Sequence, residues 1–203
     1  MTEKDKLTEE KIFEAATEVF LDKGMDGARM QEIANRAGIN KALLHYYYRT
    51  KDRLFEAVFM LTVNQMFKKF APVLDESLSL EDKIRFFYKQ HITFLKKNPR
   101  LPLFILNEIN RNPERIKKMI KNFDIKHLWT TIEAQHRDEL EKYNISPETL
   151  PQLMTSIAAI SLFPFVAKPI VSAILMEIGT NFNDYLKMRE DFAADFTIRA
   201  IRK

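Results

Sequence analysis

Two short apolar patterns, set close together between residues 30 and 46, constrain the fold of this chain more tightly than any other stretch of it. Met30, Ile33, Ala34 and Ala37 recur at helical spacing and stop at Gly38; Asn40 can then cap a second short helix running from Lys41 to about Tyr46. Two helices thus flank a three-residue turn. Gly38 suits the turn, and the small Ala34 lets the helices approach closely, which are the features of a helix-turn-helix. On this pattern alone two readings stand open: an ordinary αα-hairpin, or a helix-turn-helix that reads DNA.

The flanking sequence continues in the same helical period. Thr8 precedes Ile12, Phe13, Ala16, Val19 and Phe20, and Lys23-Gly24 supplies a basic last turn and a stop. After Thr50, the residues Leu54, Phe55, Val58, Phe59, Thr62, Met66 and Phe70 trace one face of a long helix that ends before Pro72. Further helices are expected over 80–97, 103–111, 114–142, 148–162, 170–177 and 183–201. With only 4 glycines and 8 prolines in 203 residues, 46% of them hydrophobic, the fold class is all-α with a substantial core. No repeat, low-complexity tract or Gly/Ser linker divides the chain.

Charge favours the DNA-reading alternative. The net charge of +4 decides little by itself, but its distribution is uneven. Residues 36–53 hold five basic residues (Arg36, Lys41, Arg49, Lys51, Arg53) against one acidic, Asp52, whereas residues 1–35 hold five basic and nine acidic. His45, Tyr46, Tyr47 and Tyr48 interleave with those bases, offering rings with polar tips to a groove. Phosphate neutralisation by such a cluster releases counterions and gives affinity that falls steeply with salt.

Here the residues resemble a known family. Ile33-Ala34 through Gly38-Ile39-Asn40-Lys41, then Leu44-His45-Tyr46-Tyr47-Tyr48 and Lys51-Asp52-Arg53-Leu54-Phe55, are similar to the DNA-binding domain of TetR regulators, over about residues 8–59. The resemblance implies a helix-turn-helix DNA-binding domain over 1–49, and a larger helical ligand-binding and dimerisation domain over 50–203. It implies a repressor, working as a homodimer on double-stranded DNA and released by a small-molecule effector. Carried over by position, Lys41, Ala42, His45 and Tyr46 face base edges while Tyr47 and Lys51 meet phosphates. The family favours a small hydroxyl residue near the start of the second helix, where this chain has Ala28 and Arg29; Arg29, with Gln31 beside it, either replaces that contact with a charged one or is a solvated surface residue. Leu43, Leu44 and Tyr48 are expected in the core.

In the remaining two-thirds of the chain only the helical plan matches. Met66, Phe70, Phe87, Phe94, Phe104, Phe123 and Trp129 either line a cavity, with His91 or Asn107 orienting a polar group, or are plain core, since an apolar stripe reports burial before it reports a pocket. An effector that is partly apolar follows from the first alternative. Ile157, Ile160 and the set from Phe182 to Ile201 offer more apolar face than a monomer of this size covers, so a dimer is expected through the helices after Glu148. Apolar residues 153–176 approach the length of a membrane span, but Pro164, Pro169 and Lys168 interrupt them; a buried or dimer-facing helix pair is expected, with no membrane partner. The N-terminus does not read as a secretory signal, so a cytoplasmic location is expected. No cysteine is present, no phosphate loop or nucleophile elbow occurs, and His127 and His136 are nine residues apart, on opposite sides of a helix. Neither catalysis, nor a metal, nor a cofactor is expected. The alternative function is a TetR-like interaction protein or adaptor without sequence-specific DNA binding.

Overall fold

The computed structural model describes residues 3–69, 71–114, 117, 121 and 125–202, and among them every regular element is helical. The chain divides into two compact units, residues 1–67 and 68–203.

The first unit is built from α1 (Glu3–Gly27), α2 (Met30–Arg36), α3 (Lys41–Tyr47) and α4 (Lys51–Lys68). The expected stop after Lys23 is real: Gly24 takes φ 64 and ψ −177, a backbone shape open almost only to glycine, so α1 kinks there before its last residues. At the end of α2 the amide of Ile39 donates to the Ala34 carbonyl at 3.0 Å and that of Gly38 to the Asn35 carbonyl at 3.2 Å, with Gly38 at φ 67. This Schellman arrangement satisfies two carbonyls that a helix end would otherwise leave open. Two residues later the Asn40 side chain accepts from the Leu43 amide at 2.7 Å and starts α3, as the sequence leads one to expect. Ile12, Ala16, Val19, Phe20, Ile33, Ala34, Leu44, Leu54, Phe55, Val58 and Phe59 are buried, with the Phe20 and Phe55 rings edge to face at 4.8 Å. This one core holds α2 and α3 at a fixed angle.

The second unit contains a 3-10 turn (Ala71–Leu74), α5 (Leu80–Lys97), α6 (Leu101–Arg111), α7 (Ile125–Gln135), α8 (Arg137–Lys142), α9 (Leu150–Val166), α10 (Lys168–Glu177) and α11 (Phe182–Ile201). Its centre is α5, whose apolar side packs chiefly against α11 and then α9. Tyr88, Ile92, Leu95, Leu150 and Ile198 are fully buried there, and the Tyr88 hydroxyl lies 2.7 Å from that of Thr197.

Two of the departures from the sequence expectation have a visible tertiary cause. The single helix expected over 114–142 breaks at His136 (φ −119, ψ 24). There the buried imidazole places Nδ1 2.8 Å from the Glu139 carboxylate, which also accepts the Leu80 amide at 3.1 Å, so docking on α5 sets the break. Conversely, the helix expected to stop at Leu162 continues through Pro164 to Val166. Proline removes the N–H that would have bonded Ile160, and the Arg189 guanidinium of α11 donates to that carbonyl instead, at 2.8 Å. Among the described residues no single helix is long and apolar enough to cross a membrane; α9 and α10 reach the length together but are bent by 74°.

Candidate nucleic-acid interface

Lys41, Ala42, His45 and Tyr46 are all exposed, and at a helical 100° per residue they occupy an arc of roughly 140° on α3. Leu44, on the other side, is fully buried, which fixes the rotation of the helix. Tyr46, at 81% exposed, stands almost entirely in solvent, a position that core packing does not explain for a ring of this size. The His45 imidazole Nδ1 sits 3.3 Å from the Arg49 carbonyl, just past the end of α3.

The other expected contact residues are more occupied. Arg29 is the exposed residue preceding α2 and its side chain makes no capping bond. Exposed Gln31 donates to the Asn35 amide oxygen at 2.9 Å along the same helix. The Tyr47 hydroxyl donates to Asp5 at 3.1 Å, tying the end of α3 to the start of α1. Lys51 Nζ donates to the carbonyls of Asp26 and Ala28 at 3.3 and 3.1 Å, so it closes the open end of α1 and retains a third N–H. Tyr48 is half-buried, its ring edge-on to Phe13 and its hydroxyl on Glu9; desolvation and that carboxylate push its phenol well above the usual range. Leu43 is half-buried rather than core.

Charge is arranged more narrowly than the sequence count suggested. Arg36 is held by three acids of its own domain, at 3.2 Å from Glu18, 3.9 Å from Asp22 and 3.4 Å from Glu32. It binds α2 to α1. The exposed bases beside the α3 arc are Lys41, Arg49 and Arg53. Arg49 and Arg53 were counted in the basic cluster without a contact role; their signal was the charge of the stretch as a whole.

The second unit holds an apolar cavity of about 210 Å³ between the 3-10 turn, α5, α7 and α9, walled by residues that include Leu80, Lys83, Ile84, Phe87, Ile132, Leu150 and Met154. Of the residues expected to meet a ligand, Phe87 is in this wall. His91 lies next to it, ring centroids 5.1 Å apart, but is buried against Ser161, its Nδ1 2.7 Å from the hydroxyl oxygen. Since Ser161 donates its proton to the Ala158 carbonyl, the imidazole donates to Ser161; burial pushes its pKa down to about 4. Phe94 and Phe104 are buried elsewhere in the unit, Trp129 is half-buried, and Asn107 is exposed. Met66 belongs to the first unit, while Phe70 and Phe123 lie outside the described residues. The wall of α5 was legible as a stripe at 80, 84 and 87; what was missed is that Lys83 lies on that stripe and is buried with it.

Comparison with known proteins places this geometry. Residues 12–58 match the family of bacterial regulatory proteins of the tetR type. The negative transcriptional regulator of the icaADBC biofilm operon in Staphylococcus epidermidis is 28% identical over 138 residues, 66% of this chain and 68% of its own. A TetR-like transcriptional regulator from Rhodococcus superposes with a TM-score of 0.65 at 20% identity, over 96% of this chain and 95% of that one. The transcriptional regulator FadR of Bacillus subtilis, solved with stearoyl-CoA, superposes with a TM-score of 0.66 at 13% identity, over 92% and 96%. At those identities the two structures establish a shared fold.

Proposed function

We infer that the chain is a bacterial transcriptional regulator of the TetR type and, from this, that it is a repressor, acting in the cytoplasm as a homodimer on double-stranded operator DNA and released by a small-molecule effector. The observation that carries the reading is the α3 arc: Lys41, Ala42, His45 and Tyr46 lie together in solvent on a helix whose opposite side is locked into the core. Lysine donates to guanine O6 or N7, the Ala42 methyl meets that of thymine, and His45 and Tyr46 bring rings with one polar atom each. Arg29, Gln31, Tyr47 and Lys51 then serve the phosphates; Tyr47 leaves Asp5 to do so, while Lys51 uses its third N–H. Repression rather than activation is supported by the Staphylococcus relative, a negative regulator.

Two-fold operators require two recognition helices, and the apolar surface for pairing is on α9, α10 and α11, where Phe163, Ile170, Ile174, Met176, Phe192 and Phe196 are exposed. An effector releases DNA only by binding the DNA-incompetent state more tightly, about 1.4 kcal/mol for each tenfold loss of operator affinity. Its place in the second unit is supported by the apolar cavity, and α4, which starts at Lys51 and leads into that unit's sequence, is the element that would move.

A fluorescence-anisotropy titration with the DNA upstream of the protein's own gene tests the reading. Binding that tightens steeply as salt falls, and that discriminates this DNA from scrambled sequence, is expected. Equal, weak binding to both at every salt concentration would leave an adaptor of the same fold in place of a repressor.

A further inference from the structure

Leu80, Ile84, Phe87, Ile132, Leu150 and Met154 line a half-open apolar pocket of about 210 Å³, space that the close packing of protein interiors ordinarily fills. An apolar cavity of about 150 Å³ stays dry and takes up benzene. This one is larger by about 40% and fits a benzene ring bearing a short alkyl arm. Size alone does not say whether the occupant is charged. Lys83 does.

Lys83 stands in the wall and is 3% exposed. Its ammonium has three N–H groups and spends them on the Val73 carbonyl at 2.5 Å, the Asp75 carbonyl at 2.7 Å and the Gln135 amide oxygen at 3.2 Å. Gln135 in turn donates to the Leu74 carbonyl at 3.1 Å, so the lysine and the glutamine together pin the 3-10 turn onto α5 and α7. The carboxylates of Asp75, Glu139 and Glu76 act on the ammonium through Coulombic attraction, and Glu139 is fixed by the Leu80 amide and His136. Burial nevertheless holds the lysine below its ordinary pKa. An entering carboxylate would find the three N–H groups of Lys83 already taken; an entering ammonium would find the Val73 and Asp75 carbonyls and the Gln135 amide oxygen already engaged by Lys83. Unmet desolvation disfavours either ion.

We propose that this cavity binds the uncharged, apolar part of a small molecule about the size of an alkylbenzene, and that the Lys83–Gln135 clamp excludes ionised groups from it. The proposal rests on the effector reading above but addresses binding, which is measured separately from operator release.

The experiment uses the full chain and three probes of one shape: propylbenzene, 4-propylbenzoate and 4-propylbenzylammonium, followed by calorimetry. Propylbenzene is expected to bind at least about tenfold more tightly than either ion. Ala158→Phe, on the cavity wall, or Ile157→Phe beside it should weaken propylbenzene by about tenfold or more without lowering Tm. Gln135→Leu removes one acceptor and frees one N–H of Lys83, so affinity for 4-propylbenzoate should rise by about fivefold or more. Wild-type binding of either ion as tight as that of propylbenzene overturns the proposal, as does propylbenzene binding that neither filling variant weakens. Propylbenzene bound in the cavity with operator affinity unchanged supports this proposal and removes the effector reading. Operator release by an ionised compound whose binding is lost in the Ala158→Phe protein does the reverse.

Discussion

Lys41 and Lys51 are ten positions apart and chemically identical, yet their surroundings assign them different work. Lys41 is exposed at the start of α3, whereas Lys51 already bonds two carbonyls of its own domain. We predict that Lys41→Ala and His45→Ala relax sequence preference by about 1 to 3 kcal/mol of discrimination each. Lys51→Ala should weaken all sequences alike and also lower the Tm, because the end of α1 loses its closure. A panel of single-mismatch operators checks both; a Lys51→Ala protein that changes base preference reverses the assignment. His91 supplies a second residue-scale test. Its folded pKa of about 4 lies below the unfolded value of about 6.5, so the unfolded chain binds the extra proton between those limits. Full stability is therefore held above about pH 6.5 and lost progressively as the pH falls toward 4, by roughly 3 kcal/mol in total. Thermal melts over that range should show a shallower pH dependence for His91→Gln than for the parent.

At the scale of an element, α9 carries a proline that it has no local means to accommodate. The Ile160 carbonyl freed by Pro164 depends on Arg189 of α11. Arg189→Leu should cost about 1 to 3 kcal/mol, the desolvation of an orphaned carbonyl. Pro164→Ala restores an N–H at the right position in the helix, so in that background Arg189→Leu should cost clearly less. Urea unfolding of the four proteins gives the coupling; strictly additive losses would mean that Arg189 acts elsewhere. Asn40 is the simpler case: its cap on α3 is local, and Asn40→Ala should cost about 1 kcal/mol together with operator affinity.

For the whole molecule, the apolar side chains left in solvent are the salient fact. Phe192 and Phe196 stack on one another at 6.2 Å on α11 and are 61% and 56% exposed. Neighbouring α9 and α10 add Phe163, Ile170 and Ile174. We predict that the chain sediments as a dimer at micromolar concentration, and that Phe192→Glu with Phe196→Glu yields a folded monomer with much reduced operator affinity. A double variant that remains dimeric would move the interface off α11.

Local chemistry made the first unit readable. Gly38 and Asn40 are a stop and a cap that act through bonds spanning three to five residues, and the short helices they delimit leave little choice about which side of α3 is buried. For the same reason the all-helical class, the helix-turn-helix and the exposed arc at Lys41, Ala42, His45 and Tyr46 were all legible in the order of residues. The second unit was legible only as a set of stripes, because an apolar period records that a side is covered without recording what covers it. Only the tertiary structure could break a helix at His136 by docking Glu139 on Leu80, carry another through Pro164 by lending it Arg189, and bury Lys83 among apolar neighbours by closing two carbonyls and an amide around it. In each case the deciding bond joins residues 8 to 59 positions apart in the chain, and nothing in the local sequence encodes a partner at that distance.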